Sequence, residues 1–418
     1  METALLVAGF GVLLVLLPHE LMGDDFARFT DIERLLHHGD LSDSRYSLVM
    51  PLLSVPVLLV GEVVRTPEWW AAHFNLLVVG CGMVIAYLLL RNRVDRSLLR
   101  RTMLVLLFAS LLTNRLRDYG AEVTTATLVT LGVVLLTYIR RPVLGWAAIV
   151  VGVVNTPAAL VGAAFLAVAE AVRTRRLRHL AVPVIAAALI MLEAWIRRGG
   201  PLTTGYEHDH GPRTLLPYSG REGFSYPFLL GVLAILFSLG RGLLFFTPGL
   251  VFAASFARRH AVALMLLFVA GLVVVYAKWW AWYGGLSWGP RFFVFAAVPA
   301  SLLLALRLRR AGTSVGADVA ALLVLVVSAW VGLSGAIADL STLDFCIAHD
   351  AANEHVCWYT PEYSPLWHPL VDFPSLTWKT GLLAAYCAVV FAYLASPLVA
   401  SLLRRAPRPA RLAAGWRL

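Results

Sequence analysis

The sequence predicts an all-α, polytopic membrane protein, and three observations carry that prediction. Only 14% of the 418 residues are charged and 59% are hydrophobic, whereas a soluble domain carries about 25% charged residues. Apolar stretches of spanning length, about 17–25 residues, recur along the chain, and the mean hydropathy is +0.76. Basic residues, all arginine except Lys278 and Lys379, gather in short clusters between those stretches.

Clusters of this kind mark the cytoplasmic ends of helices. The net charge of +10 therefore reflects topology and attraction to anionic lipid, and nucleic acid is not an expected partner. The opening run lacks a basic n-region and a cleavage site, so it reads as a retained first helix over 3–18. Residues 25 to 38 place Phe26, Phe29, Ile32, Leu35 and Leu36 on one helical face, the pattern of an amphipathic helix lying on the membrane surface. The stretch 47–61 carries Pro51 and Pro56 and is expected in the outer interface. Further spans follow at 71–90, 102–116, 123–139, 142–157, 158–172, 180–196, 243–257, 261–277, 292–306, 317–338 and 380–402. That makes about 12, with both termini cytoplasmic. The stretch 225–249 is ambiguous, since non-helical backbone at membrane depth is tolerated only against protein or a water-filled cavity. The whole chain, 1–418, reads as one integral-membrane domain. Its first outward loop is expected over 19–70 and its last over 339–378, with no separate soluble domain and no internal repeat.

The outward segments hold the residues that carry chemistry. In "GDDFARFTDIERLL", Asp24 and Asp25 sit at the corner between the first span and the surface helix. Partial burial and a neighbouring acid both raise a carboxyl pKa and improve it as a proton acceptor; two acids solvating a helix end is the plainer alternative. In "LRDYGAEV", Asp118, Tyr119 and Glu122 lie at an outer helix end, as functional charges beside a membrane cavity or as a solvated turn. Arg241 in "SLGRGLLFF" and Arg291 in "WGPRFF" are flanked by or near glycines that permit close backbone approach, and Arg suits bidentate contact with phosphate. Lys278 stands behind them, and for each arginine snorkelling to the membrane interface is the plainer alternative. Trp279, Trp280, Trp282 and Trp288 stack on a sugar or belong to an interfacial aromatic belt. The histidines of "EHDHG" and their scattered companions have no recognised zinc spacing, so no metal site and no cofactor is expected, with a divalent metal left as an open alternative. Cys346 and Cys357 share one outward loop, where a disulfide is permitted.

Taken in order, "GDDFARFTDIERLLHHGDL…YSLVMPLLSVP", "GYEHDHGP", "FSYPFLLGVLAILFSLGRGLLFFTPGL", "KWWAWYGGLSWGPRFF" and "YSPLWHPL" resemble the GT-C superfamily of membrane glycosyltransferases. That superfamily includes protein O-mannosyltransferases, lipid A aminoarabinose transferases and mycobacterial arabinosyltransferases. The resemblance implies a GT-C fold with interfacial helices in the first extracytoplasmic loop. It also implies a polyprenyl-phosphate sugar donor, an extracytoplasmic glycan, lipid or protein acceptor, and a plasma- or inner-membrane enzyme that inverts the anomeric centre. Asp24 matches the first acid of the superfamily's pair and takes the role of general base; Asp25 stands where Glu is commoner. Arg241, Arg291 and Lys278 are the implied phosphate ligands. Asp118, Tyr119, Glu122, Trp282 and Trp288 are the implied sugar or acceptor contacts. A transporter or flippase of lipid-linked sugars, an oligosaccharide polymerase or ligase, and a non-enzymatic assembly subunit are the competing readings.

Overall fold

A computed structural model describes residues 1–211, 213–285, 287–337 and 353–405. Among the described residues the regular structure is helical, apart from one isolated antiparallel bridge between His210 and Glu222. The helices are α1 (Glu2–Leu16), α2 (Asp24–His38), α3 (Val49–Gly61), α4 (Pro67–Leu90), α5 (Arg96–Phe108), α6 (Leu112–Arg115), α7 (Ala121–Val134), α8 (Pro142–Asn155), α9 (Leu160–Thr174) and α10 (Ala181–Arg198). They continue as α11 (Phe228–Phe237), α12 (Leu243–Phe246), α13 (Ala253–Phe256), α14 (His260–Tyr276), α15 (Ala297–Leu308), α16 (Val315–Ile337), α17 (Glu354–Tyr359) and α18 (Trp378–Arg405).

Among the described residues, seven helical stretches are long and apolar enough to cross a membrane: 67–90, 121–139, 157–174, 177–198, 291–308, 315–337 and 378–405. Five shorter apolar helices, α1, α3, α8, α11 and α14, accompany them. Close helix approach rests on glycine, as is common where lipid supplies no hydrophobic drive between helices. A Cβ on Gly132 of α7 would lie 2.7 Å from the Gly145 carbonyl of α8, and one on Gly271 of α14 would lie 2.5 Å from the Gly162 Cα of α9.

The amphipathic pattern over 25–38 becomes α2, with Asp24 and Asp25 in its first turn, where the helix dipole favours negative charge. Gly39, in the left-handed conformation, ends it by returning its N–H to the Leu35 carbonyl. The apolar face, Phe29 and Ile32, is buried against α3 and α4 with Met50, Leu58 and Phe74. Within the stretch 47–61, residues 49–61 form α3: Pro51 falls in the first turn, where an N–H is not needed, and Pro56 lies inside the helix, where it leaves out one backbone hydrogen bond.

Two expected spans have different forms. The one placed at 102–116 begins earlier, at Arg96, since the Asp95 carboxylate caps the Leu98 N–H at 2.7 Å. It stops at Phe108, and 109–111 separate it from α6. The one placed at 243–257 is three short pieces, α12, a 3-10 turn over Pro248–Phe252, and α13. Pro248 has no N–H to continue the ladder, and Gly249 brings its backbone so close to Ala300 that a Cβ would meet the carbonyl at 2.2 Å.

Candidate active site

The turn after α1 delivers Asp24 and Asp25 to the wall of a cavity of about 810 Å³. The cavity is closed by α2, the 114–122 turn, α8 to α10, the 201–209 segment and the 275–292 segment. The Asp24 carboxylate is held from both sides. Its Oδ1 accepts the Tyr46 hydroxyl at 2.6 Å, and its Oδ2 accepts Nη2 of Arg291 at 2.7 Å. Burial alone would raise the Asp24 pKa, but the Arg291 charge and the Tyr46 hydrogen bond overcome it and hold the carboxyl below its ordinary range.

Asp25 has the opposite balance. Burial pushes it up to about 7, the Asp118 carboxyl adds to the shift, and Arg28, bonded at 3.1 Å, offsets only part of it. The two adjacent acids therefore divide into one kept ionised and one poised near neutrality.

Asp118 is not a solvated turn. Its carboxylate pairs with Arg115 at 3.0 Å and accepts Nδ2 of Asn75 at 3.0 Å, and burial raises its pKa. A Cβ on Gly120 would stand 3.1 Å from both the Asp118 Oδ1 and the Glu122 Oε2, so a side chain at 120 would crowd the two carboxylates. Glu122 lines the cavity. Tyr119 does not: its ring is fully buried beneath α2, with its hydroxyl 2.5 Å from Ser54.

The tryptophans are not an aromatic belt, which would face lipid. Trp282 and Trp288 are 3% and 1% exposed. Trp288 reaches the cavity and donates to the Pro365 carbonyl at 3.2 Å, whereas Trp282 packs behind it with Tyr226, Tyr283 and Tyr359. Trp279 and Trp280 line the cavity.

The three proposed phosphate ligands also part company. Arg291 lines the cavity, and its Nε is buried without a partner. Gly284, at φ +83°, leaves room for it, since a Cβ there would lie 2.9 Å from the Arg291 Cγ. Lys278 is exposed and outside the cavity wall. Arg241 lies behind the 285–289 turn and is 1% exposed. It donates to the carbonyls of Gly285 at 3.1 Å, Gly289 at 2.6 Å and Ser287, and stacks 4.4 Å from the Trp358 ring. Its geometry is that of a clamp on the turn that carries Arg291. Arg241→Gln would leave buried carbonyls unmet, and we expect a stability loss of about 2–4 kcal/mol, read as a lower Tm in detergent. An unchanged Tm would show that the clamp is dispensable.

Tyr46 is the main residue that sequence reasoning missed. It sits in an irregular segment, 39–48, fastened from outside by α10. Arg197 donates to the carbonyls of Ser42 at 2.9 Å and Tyr46 at 2.5 Å, and Glu193 accepts the Leu48 N–H at 3.0 Å. Arg45 reaches the other way, pairing with Asp209 at 3.1 Å and standing 4.9 Å over the Tyr206 ring. Nothing in the spacing of 39–48 marks these contacts.

Of the expected disulfide, Cys357 is buried and disulfide-bonded, and Cys346 lies outside the described residues. Among the described residues no three His, Cys, Asp or Glu side chains are grouped to hold a metal.

No family model matches the sequence, and no curated protein matches it. Among solved structures, the chain is similar to ArnT, an aminoarabinose transferase from Cupriavidus metallidurans in the apo state, with a TM-score of 0.51 at 15% identity, over 96% of this chain and 76% of that one. It is also similar to the apo oligosaccharyltransferase of Archaeoglobus fulgidus, with a TM-score of 0.42 at 14% identity, over 96% of this chain and 56% of that one. ArnT is a GT-C glycosyltransferase, and the likeness to it runs through nearly the whole helical framework just described. The chain shares the GT-C fold of ArnT.

Proposed function

We propose that the protein is an inverting glycosyltransferase that moves one sugar from a polyprenyl-phosphate donor to a hydroxyl of a glycan, lipid or protein outside the cytoplasm. The observation that carries the reading is Asp24, an ionised carboxylate on the wall of a large cavity, paired there with the Arg291 guanidinium. Apolar side chains of the same wall, Leu160, Val161, Ile190 and Val275, offer a lipid tail a surface, while the acids and arginines face a polar sugar.

In the proposed step Asp24 removes the acceptor hydroxyl proton as that oxygen bonds to the anomeric carbon. The bond from that carbon to the phosphate oxygen breaks, and the electron pair leaves on polyprenyl phosphate. Arg291 stabilises the charge that develops there. Asp118 and Glu122 orient sugar hydroxyls, and Asp25, near neutrality, holds its neighbour's field in check. A mannose- or arabinofuranose-type sugar suits this reading. No resident cofactor takes part in it. Transfer of labelled sugar from a synthetic polyprenyl-phosphate donor by the purified protein tests the proposal; movement of the lipid across a bilayer without transfer would favour the flippase reading.

We place the cavity on the extracytoplasmic face of the plasma or inner membrane, with both chain termini inside, on the strength of the arginine clusters. Cysteines introduced at Asp43 and Asp372, both exposed, are expected to react with an impermeant thiol reagent in intact cells. Labelling only after permeabilisation would invert the topology.

A further inference from the structure

A second recess, of about 660 Å³, opens at the far end of the bundle from Asp24. Glu2, the first residue of α1, pairs with Arg101 on the edge of this recess at 3.0 Å, whereas Asp24 follows the other end of α1. The 15 residues of α1 separate the two by about 22 Å at 1.5 Å per residue. The recess therefore belongs to the opposite membrane surface.

Its lining comes from three elements: the start of α5, the turn between α15 and α16, and the end of α18. Four arginines, Arg101, Arg309, Arg404 and Arg405, line it beside one acid, Asp95; Arg101 is held by Glu2 and Arg405 donates to the Gly312 carbonyl, so Arg309 and Arg404 are the freest of them. Asp95 is loosely engaged, 3.7 Å from Arg309, and its Oδ1 is already spent on capping α5. Among the described residues Arg404 has no carboxylate within ion-pair distance, and its Nε donates to the Ala400 carbonyl in its own helix.

The frame behind these arginines is built rather than loose. Asp318, fully buried, accepts Nη2 of Arg307 at 3.0 Å, the Gly312 N–H at 2.9 Å and the Ser401 hydroxyl at 2.7 Å. One carboxylate thus ties α15, the following turn and α18 together, and fixes the spacing of Arg309 and Arg404 across the opening.

We propose that this recess binds a phosphate-bearing anion. Several guanidiniums converging from different helices on one open recess match the several oxygens of a phosphate, and a basic pocket between helices at a membrane surface suits an anionic lipid headgroup. The same chemistry could be met by a lipid phosphodiester or by a free phosphate.

The test uses the full chain in detergent, delipidated, with phosphatidylglycerol, phosphatidylcholine or inorganic phosphate added, and native mass spectrometry as the readout. Selective retention of phosphatidylglycerol, reduced about tenfold or more in the double variant Arg309→Gln/Arg404→Gln, supports a headgroup site. Retention of inorganic phosphate alone, lost in the same variant, supports the site and assigns it to a soluble anion. Arg404→Gln alone, an exposed change, serves where the double variant does not fold, and a smaller loss in it counts equally. Equal retention of both lipids with no phosphate bound, or retention unaffected by the variants, overturns the proposal.

Discussion

Asp24→Asn is expected to lower turnover on the order of 10²-fold or more, the contribution of a positioned general base. The amide keeps the size of the carboxylate and the Tyr46 contact but cannot take the proton, so donor binding is expected to persist. The pH dependence separates Asp24 from its neighbour. A base must be ionised, so the rate falls as pH drops through its pKa. With Asp24 as base, that fall lies below the ordinary carboxylate range, because Arg291 and Tyr46 overcome the effect of burial. With Asp25 as base, it lies at about 7. Asp25→Asn is accordingly expected to be milder. Near wild-type turnover in Asp24→Asn, together with collapse in Asp25→Asn, would transfer the role to the second acid.

Arg291→Gln is expected to be nearly as damaging and in a different way. It removes the arginine bonded to Asp24 at 2.7 Å and its positive charge on the cavity wall, so KM for the donor should rise by roughly 10- to 10²-fold, the loss of one charge-assisted contact to a phosphate. It also removes the positive charge that keeps the Asp24 pKa low, so the acid limb of the pH–rate profile should move to higher pH. Kinetics over a pH series read both effects from one set of measurements. A raised KM with an unmoved acid limb would mean that Arg291 serves the donor alone, and unchanged kinetics would return it to a structural role.

Much of the helical framework was legible because membrane spans announce themselves by length and apolarity. The bounds of α2 also survived translation into structure almost residue for residue, although of its predicted apolar face Phe29 and Ile32 are buried while Phe26 and Leu36 stay exposed. The missed break at 243–257 had its signal in plain view, the Pro248–Gly249 pair, outweighed by the hydrophobicity around it. Asp95 before Arg96 was likewise a readable cap. The partners of the cavity's acids were of another kind. Tyr46 meets Asp24, Arg291 meets Asp24, and Asn75 meets Asp118 across long sequence separations; only the folded helices bring them together. The same holds for Arg241. Its glycine-flanked setting suits a phosphate ligand or a turn clamp equally well, and which one it serves depends on whether a backbone turn lies between it and the cavity.

Arg241 has a consequence beyond holding its turn. Burial and the nearby Arg115 and Arg291 lower its pKa to about 9, so it is still cationic at neutral pH, and among the described residues no carboxylate lies within ion-pair distance of it. Carbonyl dipoles and an indole face solvate the charge without cancelling it. A charge of this sort projects through the turn: at a separation of roughly 10 Å and an effective dielectric of about 20, it attracts a single negative charge by about 1.7 kcal/mol. Arg291 and Arg115 each answer a carboxylate, Asp24 and Asp118, whereas Arg241 adds its charge from behind the turn with none to answer it. For the polyprenyl-phosphate donor proposed above, Arg241 would favour the phosphorylated lipid over its neutral alcohol without touching it.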